Sequence, residues 1–175
     1  MKSLKLARAA AVAAIAALCG TAFADTATLN VSATVTGVCK LYSSASGGVL
    51  ASGSALGPMG FGGIDPTSTG NATASSAVYY RCTKGQTPTF TFSGSGTTVT
   101  TASGSSYTGT LTGSGTASGS SMTYNITWGS APGTATGFAA ATADSLPLSG
   151  TIAPAQFQAA LVGPYADTVN ITLAP

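Results

Sequence analysis

From Ala27 onward the chain alternates with period two. Ala27, Leu29, Val31, Ala33 and Val35 fall on one side, Thr26, Thr28, Asn30, Ser32, Thr34 and Thr36 on the other, and no charge lies between Asp25 and Lys40. Successive side chains of a strand point to opposite faces, so this spacing predicts a β-strand running up to Val38. At about 3.3 Å per residue it is long enough to cross a small sandwich. A strand must pair its backbone with something. It is either an ordinary first strand of its own domain or a detachable strand that completes another subunit, and the rest of the pattern bears on that choice.

Further strands follow between turns. Val78, Tyr80 and Cys82 share one face, with Ala77, Tyr79 and Arg81 on the other; Phe90 and Phe92 alternate with Thr89 and Thr91; a Thr-rich strand surrounds Val99. Tyr107, Gly109 and Leu111 form another alternating set. The clearest internal strand places Met122, Tyr124, Ile126 and Trp128 against Thr123, Asn125 and Thr127, which predicts a core face. Leu146, Leu148 and Ile152 suggest a strand interrupted by Pro147, a residue that belongs at an edge or bulge. A short helical turn is expected within residues 154–162, and Val169, Ile171 and Leu173 alternate with Thr168, Asn170 and Thr172 as a last strand. Between these lie loops dense in Gly, Ser and Pro, at residues 43–66, 93–96, 113–121 and 129–143. About seven short strands without an amphipathic helix predict an all-β antiparallel sandwich.

Composition changes the picture at the N-terminus. Lys2, Lys5 and Arg8 precede an apolar run over residues 9–18, and Ala22-Phe23-Ala24 follows. A basic start, a short apolar core and an Ala-x-Ala end describe a secretory signal peptide over residues 1–24, cleaved before Asp25. Leu18-Cys19-Gly20 offers lipid attachment as an alternative. Removing the leader leaves three basic residues, Lys40, Arg81 and Lys84, against Asp25, Asp65, Asp144 and Asp167, a net charge of about −1. Three cations cannot neutralise a run of phosphates, so no nucleic-acid partner is expected. Two cysteines remain, Cys39 and Cys82, and in an exported chain they are expected to form a disulfide. Closing a loop of about 44 residues contributes roughly 4 kcal/mol in the chain-entropy picture.

Catalytic candidates are few. The sequence has no His and no Glu, and its four Asp are far apart, so neither an enzyme nor a metal site is expected and no cofactor is called for. The Gly-Ser-Gly runs at residues 94–96 and 113–115 are turns rather than phosphate loops, since neither follows a strand and opens a helix. Asn30, Asn71, Asn125 and Asn170 match the glycosylation acceptor pattern, as chance supplies in a Ser- and Thr-rich chain. A carbohydrate-binding sandwich would need exposed aromatics, whereas Tyr124 and Trp128 alternate as core residues do.

Three stretches together resemble one family. Phe61-Gly62-Gly63-Ile64-Asp65-Pro66 before Tyr80-Arg81-Cys82-Thr83-Lys84-Gly85, the tail from Gly163 through Tyr165, Asp167, Thr168 and Val169 to Leu173, and the opening alternation that leads to Cys39 are similar to the spore coat protein U domain family, which includes the subunits of archaic chaperone-usher pili. Ile64 stands where that family usually has Tyr, and the chain ends in Leu-Ala-Pro rather than an aromatic residue. The resemblance implies an incomplete immunoglobulin-like sandwich over residues 38–175, preceded by a donor strand over residues 25–37. Ala27, Leu29, Val31, Ala33 and Val35 of that donor would enter the groove of a neighbouring subunit, beside the last-strand residues Val169, Ile171 and Leu173. The implied partners are a periplasmic chaperone, an outer-membrane usher and identical or related pilins joined head to tail. The implied product is an extracellular surface filament of the kind that serves adhesion and biofilm formation, with a secreted coat protein as the alternative.

Overall fold

A computed structural model of the chain describes residues 25–175. The expected leader lies outside the described residues. Nine strands form the domain: β1 (Cys39–Tyr42), β2 (Ala72–Cys82), β3 (Thr89–Ser93), β4 (Val99–Thr100), β5 (Ser106–Gly113), β6 (Ser121–Thr127), β7 (Asp144–Ile152), β8 (Tyr165–Ala166) and β9 (Asn170–Ala174). A 3-10 turn spans Gly115–Ala117, and a single helical turn, α1 (Pro154–Phe157), follows β7 with Pro at its first position. All pairings are antiparallel. One sheet runs β1-β2-β7-β6-β5-β8 and the other β4-β3-β9. The protein is thus an all-β, immunoglobulin-like antiparallel sandwich.

The core lies where the alternation places it. Val78, Tyr80 and Cys82 from β2, Met122, Tyr124 and Ile126 from β6 with Trp128 just beyond it, and Leu146, Leu148 and Ile152 from β7 turn inward from the larger sheet. Phe90 and Phe92 meet them from β3. Phe92 stacks on Trp128 with ring centroids 4.6 Å apart, and Tyr80 meets Phe90 edge to face at 5.1 Å. The Trp128 indole N–H donates to Gly104 O (3.1 Å), which satisfies its only polar group inside the core.

One expectation is corrected. Pro147 does not interrupt its strand: β7 is continuous, with Pro147 opposite Ala77 of β2. β6 pairs with β7 only from Ser149 to Thr151, so at Pro147 one side of β7 has no neighbour and the missing N–H breaks no ladder there. Residues 25–38 are assigned no regular secondary structure, and β1 begins at Cys39. An alternating segment becomes a strand only against a hydrogen-bonding neighbour.

The predicted disulfide joins Cys39 and Cys82 across the β1–β2 pair, with Cα atoms 4.0 Å apart. Beside it the Thr83 hydroxyl accepts from Val38 N–H (3.0 Å) and donates to Thr36 O (3.0 Å), and Thr83 N–H donates to Val38 O (2.8 Å). The base of the N-terminal segment is therefore fixed at one corner of the sandwich. Among the described residues no helix is long and apolar enough to cross a membrane.

Candidate functional site: an open groove beside the last strand

β9 lies at an edge of the smaller sheet, paired with β3 on one side only. Along its free side runs a groove of about 870 Å³. Val169, Ile171 and Leu173 face it at alternate positions, half-buried, while Asn170, Thr172 and Ala174 are exposed. The floor is the inner face of the larger sheet, with Val78, Leu148, Ile126, Tyr124 and Leu111. The far wall is Leu41 of β1 together with Leu50, Leu56, Met59 and Phe61 from the long loop that follows it.

The shape follows from strand number and register. The small sheet has three strands to cover six, so apolar surface between β9 and β1 has no strand above it. The register Phe92↔Ile171 and Phe90↔Leu173 aligns β9 against β3 and sends alternate side chains of both strands inward. One end of the groove is closed by a polar network. Asp167 accepts from Ser95 Oγ (2.5 Å) and from the Tyr124 hydroxyl (2.7 Å), and Thr110 N–H donates to Ser95 Oγ (2.8 Å). Burial pushes the Tyr124 phenol well above its ordinary range, and its hydrogen bond to Asp167 and that carboxylate's charge push the same way. At the far side of the chain Asp65 binds Thr67 N–H and Thr67 Oγ1, both at 2.8 Å, which turns the Ile64-Asp65-Pro66 segment and holds the Asp65 carboxyl below its usual range.

The groove presents an unpaired backbone edge next to a row of apolar pockets, the arrangement by which an added strand gains main-chain hydrogen bonds and side-chain specificity together. No group of three or more potential metal ligands occurs among the described residues. The Spore Coat Protein U domain matches residues 25–172, nearly the whole described chain. The chain belongs to the Spore Coat Protein U domain family. That family is one of structural subunits of pilus or coat type, and the three sequence stretches that resembled it lie within the matched region except for Leu173, one residue past its end. No curated protein sequence matches the chain.

Each residue singled out from sequence has a defined place. Val169, Ile171 and Leu173 line one wall of the groove. Cys39 and Cys82 join β1 to β2 at its end. Leu29, Val31 and Val35 are exposed by more than four-fifths of their surface, and Ala27 and Ala33 are exposed too. Tyr124 and Trp128 are buried, so neither offers a sugar-stacking platform. The second wall was not foreseen. Leu50, Leu56, Met59 and Phe61 sit in a Gly- and Ser-rich run without periodicity; the only signal there was that these are its large apolar residues.

Proposed function

We propose that the protein is a structural subunit of a secreted surface pilus, assembled by the chaperone-usher route through donor-strand exchange. Residues 25–37, freed at Asp25 by removal of the leader, act as the donor, and the groove beside β9 acts as the acceptor. Ala27, Leu29, Val31, Ala33 and Val35 of one subunit enter the groove of the next, beside Val169, Ile171 and Leu173. A periplasmic chaperone fills the groove beforehand, and an outer-membrane usher is where the exchange takes place.

One observation carries this reading: the described residues hold both an alternation whose aliphatic side chains are exposed and an apolar groove beside an edge strand. Exposed aliphatic positions in a row and an open β-edge are each liabilities that proteins normally blunt. Their coexistence is explained if each is satisfied by a second copy. The contact is head to tail and does not close on itself, so it builds a filament. A coat layer would use the same contact; electron microscopy of cells with and without the gene distinguishes filaments from a layer.

The test is a charge placed on either face of the donor. Val31→Asp buries an unpaired carboxylate in the neighbour's groove, which costs several kcal/mol and abolishes filaments. Ser32→Asp points away from the groove and leaves filament number near wild type. Chaperone-bound subunit is recovered at normal yield for both variants, because the donor contributes nothing to its own domain. Filaments at normal density with Val31→Asp would refute the donor assignment, and loss of the bound subunit would show that the segment belongs to its own fold.

A further inference from the structure

Without a donor, the floor of an open groove should be exposed to water. It is not: Val78 is 1 %, Tyr124 5 %, and Ile126 and Leu148 each 6 % exposed. Part of the cover is the loop from Leu50 to Phe61. Leu56, Met59 and Phe61 pack against the core cluster from the groove side. At the centre of the larger sheet, a Cβ on Gly150 would meet Met59 Sδ at 2.6 Å and Phe61 Cζ at 2.9 Å, so this loop lies directly on the floor.

We infer that the segment from Leu50 to Phe61 is a movable strap, which shields the groove before polymerisation and yields to the arriving strand, then flanks its second edge; the inference rests on the donor-strand reading above. Its side chains are held but its backbone is not. Leu50 N–H donates to Leu41 O (2.8 Å), and from Ala51 to Gly60 the described backbone is tied by one hydrogen bond, Ser54 N–H to Ala51 O (3.1 Å). Ala51 to Ala55, Gly57, Pro58 and Gly60 are exposed, whereas Leu56 and Met59 dip inward. A segment with few backbone hydrogen bonds and two or three apolar anchors opens at low cost. Glycines at 53, 57 and 60 supply the hinges, Gly53 already with φ at +80°.

The position of the strap gives it a second role. A strand inserted beside β9 satisfies β9 along one edge, and its other edge then faces the far wall of the groove, which is the strap. The unpaired N–H and C=O groups of residues 51–60 are available to that edge. The strap thus lowers the apolar exposure of the lone subunit, slows insertion by the fraction of time it is closed, and adds hydrogen bonds once insertion is complete.

The experiment uses the full mature chain, residues 25–175. Leu56→Ser/Met59→Ser removes two of the strap's inward side chains, and Ala102→Ser, at an exposed position away from the groove, is the control. Polymer growth is followed by light scattering, and amide exchange of residues 51–60 is compared between subunit and polymer. The double variant polymerises at least about fivefold faster than wild type and the control does not. In wild type the amides of 51–60 exchange freely in the subunit and become protected in the polymer. Wild-type polymerisation rates in the double variant, with equal exchange of 51–60 in both states, would overturn the strap while leaving the donor reading intact. Absence of polymer from wild type as well would remove the donor reading, and the strap with it. Should near-ultraviolet circular dichroism show that the double variant is unfolded, amide exchange of the wild-type chain decides alone.

Discussion

Tyr124 stands in the floor of the groove with its hydroxyl on Asp167, and its environment makes it an alkaline-sensitive point. Folding favours the neutral phenol, whose titration is raised above its ordinary value of 10.0. The contribution is therefore fully present below about pH 10 and is lost as pH rises past that value. Tyr80 is raised in the same direction by burial, with the Asp144 charge adding to it. Thermal unfolding followed from pH 8 to 11.5 should show a falling midpoint above pH 10. Tyr124→Phe should make that fall shallower while costing about 1 kcal/mol at neutral pH, because Asp167 loses a donor. Gly150 is a second residue-scale case. Gly150→Ala forces Met59 or Phe61 off the floor and should destabilise by about 1–3 kcal/mol in urea unfolding. Combined with Met59→Ala the cost should shrink, and a double-mutant cycle measures the coupling.

At the scale of elements, β1 is only four residues long and sits at the sheet edge, so it gains little from its own ladder. Its attachment comes from the Cys39–Cys82 disulfide, which bridges a sequence separation of 43, and from the Thr83 bonds to Thr36 and Val38. Replacing both cysteines with Ala should lower unfolding free energy by about 2–4 kcal/mol and loosen the groove wall that β1 provides. Chemical unfolding with and without reductant measures the loss, and non-reducing peptide mapping should recover the Cys39–Cys82 pair. The two alternations that flank the domain behave differently. Residues 170–174 form β9 because β3 offers an edge in register, whereas residues 25–38 carry an equally clean pattern and no strand is assigned to them.

For the whole molecule, the donor reading predicts that the domain without its first twelve residues remains acceptor-competent but cannot polymerise. A chain beginning at Gly37 should aggregate through its open groove, and a peptide covering residues 25–36 should hold it monomeric and raise its melting temperature. Size-exclusion chromatography with and without peptide checks this. Cooperative, monomeric folding that is indifferent to the peptide would instead describe a sandwich complete in itself. The near absence of charge after Lys84, where only Asp144 and Asp167 remain, fits subunits that pack closely along a filament, since few ionic groups would need desolvation there.

By itself the sequence determined the inward and outward faces of nearly every strand. Period two is a local property of an extended backbone, so Val78, Phe90, Phe92, Tyr107, Met122, Ile126 and Leu148 could be placed inside from their spacing alone. The disulfide was also legible, because the expected removal of a leader left two cysteines. Tertiary structure alone decided what depends on neighbours: that Pro147 lies in an unbroken strand because β6 stops short of it. The second wall of the groove was hidden for the same reason. Leu56 and Met59 follow no period, and the sheet centre at Gly150 on which Met59 rests lies about ninety residues further along the chain. A groove exists only where distant elements leave a space between them, and that space is set by how many strands each sheet receives rather than by any stretch of residues.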